Sequence, residues 1–175
     1  MDKIPKNTKL NLGCGKDYRE GFFNVDQDKE VKAVAHFDLN KYPYPFKEGG
    51  MDFILALNVM EHLNEPQQFL EECYRILKPN GKIFLQVPLF GAWSGPHLNH
   101  KYAGFTPYSF KILEQERWKF EFTKCPFRVR KMQVSTPFNW KLRFPWQCSL
   151  INMFVNNIFS QLFVTLQKKD EKEKI

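Results

Sequence analysis

Paired cysteines are missing from this chain. Cys14, Cys73, Cys125 and Cys148 form no Cys-x-x-Cys unit and no Cys/His pairing, so neither a zinc framework nor a disulfide framework is indicated and no metal is expected from spacing. A long uninterrupted apolar run is missing too. The stretch Phe144 to Gln167 carries no charge, but Asn152, Asn156, Asn157 and Gln161 break it too often for a membrane span. An amphipathic helix laid over a sheet is the better expectation there, with docking on a membrane surface as a second reading. The opening residues Met1 to Lys9 are polar and charged, without the apolar core of a secretion signal; a reduced, cytoplasmic location is expected. No internal repeat is present.

What is present suits one globular domain. The 175 residues are 43% hydrophobic and 16% aromatic, enough to bury a proper core. The domain is expected over residues 1–167, with the charge run 168–175 as a solvated, frayed end. The net charge of +7 is concentrated in one place: between Arg117 and Arg143 lie eight basic residues and one acid, Glu121. Aromatics interleave with them (Trp118, Phe120, Phe122, Phe127, Phe138, Trp140). Such a stretch suits nucleic acid, an anionic membrane surface or an acidic substrate, and equally a strand pair whose outer face is basic.

Strands and helices alternate along the chain. Lys9 to Leu12, Phe22 to Asp26, Val34 to Asp38, Met51 to Leu57 and Lys82 to Val87 read as strands, the fourth apolar nearly throughout, as central parallel strands are. Little room is left for a helix between the first two. A helix is predicted from about Glu65 to Leu77, capped by Asn64 and stopped by Lys78-Pro79-Asn80-Gly81; Phe69, Leu70, Cys73, Ile76 and Leu77 form its apolar stripe. A second helix starts at Thr106-Pro107, with Thr106 as cap. Lys119 to Thr123 and Phe127 to Val134 read as antiparallel strands, Leu150 to Phe159 as a helix, and Leu162 to Leu166 as the last strand.

The run Leu10-Asn11-Leu12-Gly13-Cys14-Gly15 carries the first functional signal. A short strand ends in two glycines, which allow a tight turn and close approach of a ligand. A dinucleotide phosphate loop wants a third glycine three residues later, but Lys16, Asp17 and Tyr18 follow. Asp26, ending the second strand, can accept both hydroxyls of a ribose, and Asp38 can close over an adenine. The layout is that of a site for an adenosine-containing cofactor without a pyrophosphate, which favours S-adenosylmethionine.

These segments (LNLGCGKDYREGFFNVD, DLNKYPYPF, MDFILALNVMEHL and LKPNGKIFLQVP) resemble the successive motifs of class I S-adenosylmethionine-dependent methyltransferases, in particular the small type-11-like members with a shortened first helix. The resemblance is close over roughly residues 8 to 90 and looser through Pro96 to Phe110. It implies a Rossmann-like, doubly wound α/β fold with a seven-stranded, mostly parallel sheet and an antiparallel last strand. By motif position it implies that Gly13, Cys14 and Gly15 cradle the cofactor's methionine part and that Asp26 holds the ribose. Asp38 and Leu39 would hold the adenine, and Asn58 and Val59 the loop beneath the sulfonium. Asn11 would face the ammonium, at a position often acidic in the family.

The resemblance implies methyl transfer, with S-adenosylhomocysteine as product. A base is needed only for an acceptor that still carries its proton, and three histidines are candidates. His62 follows Glu61 just after the fourth strand, and His97 and His100 sit in a loop over the mouth of the sheet; Tyr102 and Tyr108 are weaker candidates. His36, inside the third strand, reads as structural. The expected acceptor is a small or glycan-like molecule methylated on oxygen or nitrogen. It is anionic if Arg128 and Arg130, which alternate onto one face of their strand while Lys131 takes the other, face the pocket. A nucleic-acid acceptor is disfavoured, since no Asn/Asp-Pro-Pro-Tyr motif follows the fourth strand. The rival reading is a non-catalytic cofactor-binding, membrane-associated or nucleic-acid-associated module with the same fold.

Overall fold

The computed structural model describes residues 8–92, 98–114, 125–135, 141–142 and 160–170. Its frame is one sheet. Thr8–Leu12 (β1), Phe22–Asp26 (β2), Ala35–His36 (β3), Met51–Leu57 (β4) and Leu77–Pro88 (β5) run parallel. Phe127–Ser135 (β6), Lys141–Leu142 (β7) and Gln161–Lys168 (β8) complete the order β3-β2-β1-β4-β5-β8-β6-β7. The last strand, β8, is antiparallel to both β5 and β6, as expected. The two-residue β7 adds an edge pairing to the seven expected strands. Two helices are described, Pro66–Ile76 (α1) and Pro107–Lys111 (α2).

Residue chemistry explains the strand placement. Leu10, Leu12, Ile54, Ile83, Leu85, Val87, Leu162, Val164 and Leu166 are fully buried along the central strands, and α1 lays Phe69, Cys73 and Ile76 against them. No helix separates β1 from β2. A buried asparagine pair ties the intervening loop down instead: Asn24 Oδ1 accepts from Asn11 Nδ2 (2.9 Å) and from the Arg19 backbone N–H (3.0 Å). Asn24 Nδ2 donates to the carbonyls of Arg19 and Phe22, and Asn11 Nδ2 also donates to Asp17 O. Buried backbone groups must find partners, and here two amides supply what a helix would have supplied.

Four expectations need correction. Asn64 does not cap α1; Glu65 stands at the cap without a side-chain bond. The Asn64 amide oxygen accepts from Lys101 Nζ, its N–H donates to Asn40 Oδ1 and its carbonyl accepts from Tyr102 OH. The Lys78–Gly81 turn lies inside β5 as a bulge, because Met51 pairs with Leu77 and Phe53 already pairs with Lys82. Asn80 is left-handed there, at φ 64°. The third strand shrinks to two residues, since Asp38 turns the chain by accepting the Asn40 N–H. Finally, Lys168 is the buried end of β8, its ammonium donating to the carbonyls of Tyr74 and Leu77. The expected strand Lys119 to Thr123 and helix Leu150 to Phe159 lie outside the described residues. Among the described residues, no helix is long and apolar enough to cross a membrane.

Candidate functional site

The chain progresses outward from β1 to β2 and β3, then returns to place β4 on the other side of β1. At such a switch point the loops leaving the two central strands part, and a crevice opens beyond their carboxyl ends. Here it has two lobes, of about 200 and about 550 Å³, which share Gly13 and Asn58. Asp26, Asp38, Leu39, Val59 and His62 line the smaller lobe; Asn11, Cys14, Gly15, Asp17 and Gln86 line the larger. All nine residues expected at a cofactor therefore surround one crevice.

The glycines have different tasks. Gly13 is left-handed (φ 62°), and a Cβ there would stand 2.6 Å from Val59 Cγ2. It is needed for the packing of the turn after β1 against the turn after β4. Gly15 is also left-handed (φ 47°), but a Cβ there would meet nothing within 4 Å, so it borders open space on the ligand side. Cys14 turns inward: its thiol approaches Lys32 O at 3.7 Å, and burial, then the Asp26 charge, push it above its ordinary value. Asn58, left-handed at φ 53°, ends β4 and is held by its N–H on Gln86 O.

The two acids are held by the backbone. Asp26 accepts the Gly15 N–H on Oδ2 (2.8 Å) and the Asp28 N–H on Oδ1 (3.0 Å); a carboxylate oxygen has two lone pairs, so each keeps one for a hydroxyl. Asp38 Oδ1 accepts the Asn40 N–H and amide. That backbone bond, chiefly, holds the Asp38 carboxyl below its ordinary value, and Oδ2 is not engaged by the turn. A cofactor with a diol at one end of its ribose and a polar chain at the other fits this crevice. Asn11 Nδ2 donates to Asp17 O and Asn24 Oδ1 and so shapes the loop under the larger lobe.

A second group of residues closes the smaller lobe. The three-residue 3-10 turn Met60–His62 follows Asn58, and the segment from Leu98 folds back over it. Lys101 N–H donates to Glu61 O (2.8 Å), Phe105 N–H donates to Pro88 O at the end of β5, and Phe90 N–H donates to Phe105 O. This puts the His100 ring against His62, with centroids 4.7 Å apart at 80°, and His62 Nδ1 3.1 Å from Asn99 O. His62 and His100 thus come together as candidates; His97 lies outside the described residues. Tyr102 OH is committed to Asn64 O, and Tyr108 is exposed on α2. His36 is exposed, opposite Asp26 in the pairing of β2 and β3.

Glu61 was not among the sequence candidates. It is 1% exposed, its Oε2 has no hydrogen-bond partner, and burial pushes its carboxyl up to about 7. The only sequence signal was an acid between Met60 and His62; a three-residue turn has no periodicity to show which way it points.

The basic residues of β6 do not reach the crevice. Arg128 pairs with Gln167, which pairs with Lys82, level with Phe53 near the start of β4, whereas the crevice lies beyond the ends of β1 and β4. At about 3.3 Å per residue the separation along the strands is roughly 15 Å. A bulge between Val129 and Lys131 breaks the expected alternation, and Arg130 bonds Gln167 Oε1. Neither Arg128 nor Arg130 is among the residues that line the two lobes.

The fold and crevice suit a nucleoside-containing cofactor, and comparison with known proteins shows what they resemble. Residues 10–85 match the methyltransferase-domain family model. A Mycolicibacterium smegmatis protein named as a probable S-adenosylmethionine-dependent methyltransferase is 27% identical over 97 residues, covering 45% of this chain and 37% of its own length. The structure of an S-adenosylmethionine-dependent methyltransferase from Archaeoglobus fulgidus superposes with a TM-score of 0.62 at 14% identity, over 93% of this chain and 86% of its own. Haemonchus contortus phosphoethanolamine N-methyltransferase 2, in complex with phosphomonomethylethanolamine and S-adenosylhomocysteine, gives 0.52 at 14% identity over 95% of this chain and 50% of its own. The chain spans under half the length of the curated relatives it matches. Over residues 10–85 the chain is thus similar to the methyltransferase-domain family, and its fold is that of solved S-adenosylmethionine-dependent methyltransferases.

Proposed function

We propose that this chain is an active methyltransferase acting on an oxygen or nitrogen of a small-molecule or glycan-like acceptor in the cytoplasm. The observation that carries this reading is the continuity of one crevice from the Asp26 and Asp38 carboxylates, past Gly13 and Asn58, to the imidazole of His62. S-adenosylmethionine supplies a methyl group on a sulfonium, transferred by in-line displacement. The protein's part is to hold donor and acceptor in that line. Asp26 accepts the ribose hydroxyls on its remaining lone pairs, and Asp38 with Leu39 borders the adenine. The Gly13-Cys14-Gly15 turn cradles the methionine part, Asn11 supports that turn, and Asn58 and Val59 underlie the sulfonium. His62 and His100 stand where an acceptor would enter, the placement expected of groups that act on it; His97 belongs to the same loop in sequence. The modest size of the lobes supports a small acceptor, as does the phosphomonomethylethanolamine in the Haemonchus neighbour.

The test is turnover of methyl-labelled cofactor against panels of metabolites, sugars, proteins and RNA, after cofactor binding has been established by calorimetry. Label transfer to a small hydroxyl or amine compound is the expected result. Firm cofactor binding with no transfer to any panel would favour the non-catalytic module.

A further inference from the structure

Glu61, His62 and His100 each offer one ligand atom, and these atoms lie within 4.8 Å of one another. We propose that they bind a single divalent transition-metal ion at the rim of the smaller lobe, and that the acceptor's reacting atom reaches its position by coordinating that ion. The second half of this proposal rests on the methyltransferase reading above; the first half does not.

Three observations converge. Glu61 is 1% exposed and its Oε2 has no hydrogen-bond partner. A buried carboxylate is costly unless it is paired or coordinates a metal, and no Lys or Arg forms an ion pair with it among the described residues. His62 Nδ1 lies 3.1 Å from Asn99 O. A proton on Nδ1, donated to that carbonyl, leaves the Nε2 lone pair for a ligand, and such an anchored second nitrogen is usual for metal-binding histidines. The Lys101 N–H to Glu61 O bond holds the His100 strand of the loop against the turn that carries the other two ligands. Bound at about 2.0–2.2 Å, the donor atoms around an ion lie roughly 3–4 Å apart, and the three ligand atoms here already lie within 4.8 Å of one another.

The donor set selects the ion class. Two imidazole nitrogens and one carboxylate oxygen suit Zn²⁺, Mn²⁺, Fe²⁺ or Co²⁺, whereas Mg²⁺ and Ca²⁺ favour oxygen alone. Three protein ligands leave coordination positions open, as catalytic sites require, and His62 lines the lobe so that these positions face it. A hydroxyl coordinated there has its pKa lowered and gives its proton to solvent water. Its oxygen lone pair then forms the new C–O bond as the S–CH3 bond breaks, the bonding pair remaining on sulfur to leave a neutral thioether. The ion is unchanged in charge throughout.

The experiment uses the full chain, stripped with EDTA and dialysed, with no cofactor present. Co²⁺ is titrated and followed by its visible d–d absorption, and Mn²⁺ and Zn²⁺ by calorimetry. One saturable site is expected in the wild type, weakened at least about tenfold in both Glu61→Gln and His100→Ala; circular dichroism confirms that each variant is folded. Glu61→Gln keeps the side-chain shape, and His100→Ala alters a half-buried loop position, so loss of folding in one leaves the other to decide. No saturable site in the wild type, or undiminished affinity in a folded variant, would overturn the proposal. S-adenosylmethionine titrated into the same samples reads the enzymatic proposal separately: metal binding without cofactor binding defeats that one, and cofactor binding without metal binding defeats this one.

Discussion

The turn that follows β1 keeps its polar groups occupied from within, through Asn24, Asn11 and the Asp26 carboxylate on Gly15 N–H. The turn that follows β4, across the same crevice, buries Glu61 with an oxygen that no donor meets. Both turns need a left-handed residue, Gly13 in one and Asn58 in the other, and they touch where Gly13 packs on Val59. The difference separates two tasks. A satisfied polar network fixes one geometry and suits the binding of a constant cofactor. An unsatisfied buried acid beside two imidazoles is held at a cost in stability and suits chemistry.

The comparison breaks most visibly at Asn24. Asn24→Ala removes one bond each from the Asn11 amide, the Arg19 N–H and the carbonyls of Arg19 and Phe22. A loss of about 3–4 kcal/mol is expected in urea unfolding; a loss within experimental error would mean that the first turn is not held by this pair.

At Glu61 the prediction has the opposite character. Its carboxyl sits at about 7 in the folded chain against an ordinary 4.5, because burial disfavours the charge. Between those values the folded state keeps a proton that the unfolded state has released, so stability falls as pH rises through that window and stays low above it. The full effect is about 3 kcal/mol. In EDTA, Glu61→Gln should flatten the decline between pH 5 and 8 and equal or exceed the wild type in stability at pH 8. Parallel pH profiles for the two proteins would refute the buried-acid account.

A smaller effect sharpens the contact between the turns. Gly13→Ala meets both an unfavourable φ and Val59 Cγ2, and should cost about 2–3 kcal/mol. Gly15→Ala meets only the φ penalty, about 1–2 kcal/mol. In a double-mutant cycle, Val59→Ala should relieve part of the Gly13→Ala cost and none of the Gly15→Ala cost.

The same contrast marks what can be read from the chain alone. Met51–Leu57 forms as its apolar run predicts, because a central strand buried on both faces leaves that trace in sequence. The nine crevice residues were legible because they stand at strand ends, where motif and topology coincide. Asn11 and Asn24 were not recognised as a pair, since two asparagines 13 positions apart carry no sign of a shared hydrogen bond. Lys78–Gly81 has the composition of a turn and makes one, but as a bulge within a strand, which only the pairing with β4 reveals. Asn64 has the composition of a helix cap and is drawn away by partners at Asn40, Lys101 and Tyr102. The meeting of Glu61 and His62 with His100 depends on a loop closing over nearly forty residues, and no local pattern encodes that.

The central claim is that the satisfied turn and the Asp26 carboxylate form the seat of the cofactor, and isothermal calorimetry tests it most directly. S-adenosylmethionine and S-adenosylhomocysteine should both bind the wild-type chain. Asp26→Ala should weaken both by about 1.5–3 kcal/mol, roughly 10- to 150-fold, through loss of charge-assisted bonds to the ribose. Tight binding of NAD with no measurable binding of S-adenosylmethionine, or equal S-adenosylmethionine affinity in wild type and a folded Asp26→Ala variant, would contradict it.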